Sequence, residues 1–181
     1  MTKSTSLFKK LEFLETESIK RGIPILGREK GQWLFEKILE THPKKILELG
    51  TANGYSGIIL GSEGAELTTI DIDKEITKEA QHNFKEFNIH ATILLADGVQ
   101  EIKKFNNETF DLVFIDFAKK KYITIFEDAL RVVKKNGFII ADNITFLGCQ
   151  DYKEKVLKDK RIETELILIE DGLSCSKKIF F

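Results

Sequence analysis

Five nearly continuous apolar runs punctuate the chain: Lys45 to Leu49, Leu67 to Ile72, Ala91 to Leu95, Leu112 to Ile115 and Phe138 to Ala141. Runs without an alternating polar position belong to strands covered on both faces, the usual condition of a parallel sheet. Between them the period changes. Ile76, Ala80, Phe84 and Phe87 recur at three- and four-residue steps, as do Tyr122, Ile125, Phe126, Ala129, Leu130 and Val133, so each set predicts a helix with one core-facing stripe. Leu7 to Ile19 and Arg28 to Glu40 predict two further helices, separated by Gly22-Ile23-Pro24-Ile25-Leu26. Thr164 to Ile169, a turn at Asp171-Gly172, and Ser176 to Phe181 read as a hairpin, which predicts an antiparallel last strand at the sheet's edge. The whole pattern is that of an α/β fold with a mostly parallel seven-stranded sheet and helices on both faces.

Composition narrows this picture only a little. With 181 residues, two prolines and no repeat or low-complexity tract, the chain predicts a single domain over 1–181 with no linker. Charged residues make up 31% of the chain and sum to −1, so no global basic field points to nucleic acid. No run of about 18 apolar residues and no secretory leader is present, so no membrane partner is expected and the chain is expected to be cytoplasmic. Cys149 and Cys175 lack C-x-x-C spacing and read as bystander thiols of a reducing compartment.

The chemistry begins where the first strand ends. Lys44 to Gly57 is a short apolar strand running into a glycine-bearing turn, with Gly50 and Gly54 placed to let the backbone approach a ligand. Ala52 stands where a dinucleotide fingerprint needs its second glycine, no Lys follows the second glycine as in a phosphate loop, and Ser56 lacks the spacing of a nucleophile elbow. The turn carries instead a carboxylate, Glu48, a good neighbour for a cationic ligand. Asp71, about 20 residues beyond the turn, is placed to accept from both hydroxyls of a ribose. An adenosine with a cationic, phosphate-free tail describes S-adenosylmethionine.

Ligands of open parallel sheets sit beyond the carboxyl ends of the strands, and here those ends are acidic: Glu48, Asp71, Asp97-Gly98, Asp116 and Asp142-Asn143. Gathering such carboxylates at one edge is costly without a cation. Asp116, Asp142 and Asn143 offer three hard oxygen ligands, a set suited to Mg²⁺.

These residues also carry a resemblance. Glu48-Leu-Gly-Thr-Ala-Asn-Gly-Tyr-Ser56, Thr69 to Asp73, Ala96-Asp-Gly98, Phe110 to Tyr122, Gly137 to Ile144 and Asp171-Gly-Leu173 resemble the cation-dependent O-methyltransferases of the catechol O-methyltransferase type. The resemblance implies a Rossmann-like class I methyltransferase fold, in which residues 1–40 form N-terminal helices covering the substrate side. It implies that Glu48, Gly50, Thr51 and Ser56 hold the methionine end of S-adenosylmethionine, Asp71 the ribose and Asp97-Gly98 the adenine, with Leu26 also touching the cofactor. Asp116, Asp142 and Asn143 would hold the divalent ion, Asp116 would also lie near the methionine amino group, and Lys119 would be the general base. The implied reaction moves a methyl group to a metal-chelated hydroxyl of a catechol-like small molecule. The turn and the preceding Ile-Pro-Ile segment also resemble tRNA 5-hydroxyuridine methyltransferases, so tRNA is a rival acceptor, and a non-catalytic cofactor-binding protein is a third reading. Ser174 stands where animal catechol enzymes carry an acid, and the span from Ile144 to Ile162 is short, which implies a more open site. Phe117, Trp33 and Tyr122 are candidates for stacking on the acceptor, and a homodimer is the assembly the family implies.

Overall fold

The computed structural model describes residues 3–180. Strands β1 (Lys45–Leu49), β2 (Glu66–Asp71), β3 (Ala91–Leu95), β4 (Phe110–Ile115), β5 (Val133–Asp142), β6 (Ile162–Ile167) and β7 (Leu173–Lys178) form one sheet in the order β3-β2-β1-β4-β5-β7-β6. Neighbours from β3 through β5 are parallel, while β7 runs antiparallel to both β5 and β6. The last strand is therefore antiparallel as expected, but it lies inside the sheet and β6 takes the edge. Phe181, the last residue of the predicted strand, lies outside the described residues.

Alternation along the strands builds a core on each face. Leu47, Leu49, Val113, Ile115 and Ile139 point to one side, where they pack with α6 (Tyr122–Val132) and α7 (Gln150–Lys158). Ile46, Leu112, Phe114 and Ile140 point to the other, against α1 (Lys3–Lys20), α2 (Arg28–Thr41), α3 (Tyr55–Gly61) and α4 (Lys74–Glu86). A short helix, α5 (Gly98–Glu101), follows β3. Predicted stripes become buried faces: Ala80 and Phe84 on α4, and Tyr122, Ile125, Phe126, Ala129 and Leu130 on α6. The start of α4 is set by Asp73, whose carboxylate accepts from the backbone N–H groups of Glu75 and Ile76.

Two boundaries differ from the sequence pattern. Val133 opens β5 instead of closing the helix before it, because the polar stretch Lys134-Lys135-Asn136 is strand in spite of its composition. Asn136 takes φ +65° there and the β4–β5 register shifts between Phe110 and Leu112, an irregularity that hides a strand from hydropathy. Helices α1 and α2 pack on the sheet face beside α3, and the segment joining them, at Pro24 to Leu26, lines the cavity. Among the described residues no helix is long and apolar enough to cross a membrane. Cys149 and Cys175 are buried free thiols, and burial holds both above the ordinary thiol pKa.

Candidate active site

The strand order reverses between β1 and β4, and a cavity of about 470 Å³ opens there, beyond the carboxyl ends of the strands. Its floor is the turn after β1. Gly50 takes φ +106°, and a Cβ at that position would collide with the carbonyl oxygen of Asp116, so the turn and the end of β4 fit only with glycine there. Gly54, at φ +90°, then starts α3. Thr51 and Ser56 line the cavity, and Leu26, with Pro24 and Ile25, closes it from the α1–α2 connection.

Asp71 lines the cavity and also braces the turn. One carboxylate oxygen accepts from the backbone N–H groups of Thr51 and Ala52, both at 3.0 Å, and the other from that of Asp73. Asp97 and Gly98 form the far wall. Lys121, together with the backbone N–H of Val99, holds the Asp97 carboxyl below its ordinary range.

Glu48, expected at the methionine end, is not among the residues that line the cavity. It is fully buried, and its two oxygens accept from Ser56 Oγ and Thr69 Oγ1, each at 2.6 Å. Burial pushes its carboxyl up to about 8 against those two donors, with the charges of Asp116 and Asp71 adding to the rise. Glu48 is joined to the cavity lining through Ser56, and through Thr69 to Thr51, whose hydroxyl lies 2.6 Å from that of Thr69.

Asp116 and Lys119 also line the cavity, with the Asp116 backbone against the turn at Gly50. Lys119 Nζ donates to Asp116 Oδ1 at 2.5 Å and to Tyr122 Oη at 3.2 Å. Asp142 and Asn143 lie outside the cavity lining, on the next strand end. Burial first, and then the charge of Asp116, raise the Asp142 carboxyl to about 6, which identifies two carboxylates repelling each other across this rim. Lys30 and Lys119 each pair with one of these carboxylates, and the hard oxygens of Asp116, Asp142 and Asn143 are the kind of donor set that fits a divalent cation. Among the described residues no cluster of three or more His, Cys, Asp or Glu side chains could hold an ion alone, so the set depends on the amide of Asn143.

Sequence reasoning missed Lys30. Its ammonium, with the side chain only 3% exposed, donates at 2.6 Å to both Asp142 Oδ1 and Asp171 Oδ1. Burial alone would lower its pKa, but the two carboxylates more than offset this and hold it above the ordinary value. A signal was present: Lys30 precedes the buried Leu34 and Ile38 by four and eight residues, so a charge sits on the core-facing stripe of α2. Of the proposed aromatic platforms only Phe117 lines the cavity, stacked on Tyr122 with centroids 5.7 Å apart, whereas Tyr122 is fully buried and Trp33 packs against the core. Ser174 is fully buried on β7.

Comparison with known proteins bears on this geometry. A family model described as O-methyltransferase matches residues 2–179. Over 169 residues the chain is 31% identical to catechol O-methyltransferase B of Danio rerio, a match covering 83% of this chain and 64% of that one. It is 26% identical over 200 residues to "Probable caffeoyl-CoA O-methyltransferase 2" of Dictyostelium discoideum, covering 97% and 86% of the two chains. In fold it is similar to the O-methyltransferase of Bacillus cereus solved in complex with SAH, with TM-score 0.80, 21% identity, and 96% and 90% of the chains covered.

Proposed function

Because the chain belongs to the O-methyltransferase family, we propose that it transfers a methyl group from S-adenosylmethionine to a hydroxyl of a catechol-like small molecule held on a divalent ion. The observation that carries this reading is the continuity of the site: one cavity is lined by both the glycine turn and the Asp116–Lys119 pair, which meet where Gly50 packs on the Asp116 carbonyl. The turn with Ser56 would bind the methionine part of the cofactor, Asp71 the ribose, and Asp97 with Gly98 the adenine. S-adenosylmethionine would supply an electrophilic methyl group, and a divalent ion held by Asp116, Asp142 and Asn143 would supply Lewis acidity. Lys119 Nζ, beside the Asp116 carboxylate and the Tyr122 hydroxyl, would take the hydroxyl proton only in its neutral form, so its ammonium would first have to give up a proton under the charge of a bound cation. Leu26, Ile25 and Phe117 give the cavity apolar walls that exclude water from the transfer.

Release of S-adenosylhomocysteine, measured over a panel of catechols and over unmodified tRNA with and without Mg²⁺, tests the proposal. Turnover with catechols that stops in chelator, while cofactor binding persists, is the expected result. Lys119→Ala is expected to slow that turnover by about 10²- to 10⁴-fold. Undiminished activity in chelator would remove the ion, and binding of cofactor without turnover of any acceptor would select the non-catalytic reading. Stimulation by tRNA alone would select a wobble 5-hydroxyuridine acceptor. That second reading is favoured by the Lys119-Lys120-Lys121 run at the rim and by the exposed Phe146 and Leu147 in the loop beside it.

A further inference from the structure

An asparagine binds a hard cation only through its amide oxygen, and the two ends of an amide are alike in size, so something must choose which end faces the ion. Asp171 makes that choice here. Its Oδ2 accepts from Asn143 Nδ2 at 2.6 Å; a carboxylate accepts only from the nitrogen end, so the amide oxygen is turned to the other side. Asp171 is itself fixed in three ways. Its Oδ1 accepts from the Lys30 ammonium at 2.6 Å, and the same ammonium donates to Asp142 Oδ1 at 2.6 Å. Its backbone carbonyl accepts from Thr145 N at 3.1 Å and Thr145 Oγ1 at 2.9 Å, which clamps the loop after Asn143 onto the β6–β7 turn. The turn fits closely there: a Cβ on Gly172, which takes φ +76°, would lie 3.0 Å from Ile144 Cγ2.

We infer that Asp171 and Lys30 are positioning residues of the ion site, Asp171 by orienting the Asn143 amide and Lys30 by holding the Asp142 and Asp171 carboxylates together. The inference rests on the divalent ion of the proposed function, but neither residue touches the reacting groups. Partners of this kind behind metal ligands typically change metal affinity by about 10- to 100-fold when lost.

The test is Mn²⁺ binding, followed by electron paramagnetic resonance with S-adenosylhomocysteine present, in the unaltered chain, Asp171→Asn, Asn143→Asp and the double variant. Asp171→Asn is expected to weaken Mn²⁺ binding by about 10- to 100-fold, because the amide at 143 can then turn either end to the ion. In the Asn143→Asp background residue 143 offers oxygen at both ends, so the same change should weaken binding by less than about threefold or strengthen it. Affinity for S-adenosylhomocysteine should stay the same in all four chains. An equal loss in both backgrounds, or none in either, overturns the orienting role. A second measurement covers the case in which Asp171→Asn does not fold. Asn143→Asp sets a carboxylate against that of Asp171, so without metal it should melt below the unaltered chain and gain more from added Mn²⁺. Equal melting with and without Mn²⁺ overturns the inference as well. Failure of the unaltered chain to bind Mn²⁺ overturns the proposed ion and this role together, whereas normal binding with unresponsive variants overturns this role alone.

Discussion

A carboxyl group with no path to solvent, as in Glu48, keeps its proton well past the pH at which an unfolded chain gives it up, even against two hydroxyls that donate to its oxygens. Its value is raised from 4.5 to about 8, so its contribution to stability is complete below 4.5 and is lost as pH climbs through the window to about 8. Chemical denaturation across that window should show the unaltered chain losing stability more steeply than Glu48→Gln, which stays neutral throughout; parallel curves would mean that Glu48 is ionised in the fold. At this scale the sequence was informative about position and less so about reach. Asp71, Asp97 and Asp116 line the cavity as their strand-end places predict. Glu48 does not, because it lies within β1 with its side chain on the face covered by α3, where Thr69 and Ser56 enclose it. Lys30 escaped notice because its partners, Asp142 and Asp171, are more than a hundred residues away in sequence.

Between elements, the glycine turn owes its position to α1 as well as to β1. Asn53 Nδ2, inside the turn, donates to Ser18 Oγ at 2.7 Å in a buried contact, and the Asn53 carbonyl accepts from Asn83 Nδ2 on α4 at 2.9 Å. Arg21, just past α1, closes the same triangle by gripping Glu79 of α4 through two contacts of 2.8 Å. Ser18→Ala removes one of two acceptors of the buried Asn53 amide nitrogen and leaves Glu79 as the other, an expected cost of about 0.5–1.5 kcal/mol in thermal unfolding, with weaker S-adenosylhomocysteine binding in titration. Unchanged cofactor affinity would show that the turn holds its shape without α1. Hydropathy could place α1 and α4 from their periods, but it carries no information about Ser18 and Asn53 meeting, since a buried hydrogen bond between helix and turn leaves no periodic trace. The β5 start at Val133 was hidden for a related reason: Lys134, Lys135 and Asn136 fall in the irregular stretch between the Phe110–Val133 and Leu112–Phe138 pairs, which a polar composition does not announce.

At the scale of the whole molecule, a ligand that fills the cavity contacts elements from both halves of the sheet and should stabilise the fold by mass action. S-adenosylhomocysteine at about 100 times its dissociation constant is worth about 2.7 kcal/mol, which for a chain of this size corresponds to a rise of about 5–10 °C in the melting temperature. Gly50→Ala, which drives a Cβ into the Asp116 carbonyl, should abolish the rise; a full shift in that variant would place the ligand elsewhere. The antiparallel course of β7 has a further consequence. Reversing that one strand brings its beginning, Asp171-Gly172, alongside the end of β5, Asp142-Asn143, so a late stretch of sequence completes a rim begun much earlier. On the ribosome, every residue that lines the cavity has been made by Lys121, whereas the brace for Asn143 waits for Asp171. A nascent chain thus acquires the whole lining of its cradle, Asp116 and Lys119 included, before the far side of the rim at Asp142, Asn143 and Asp171.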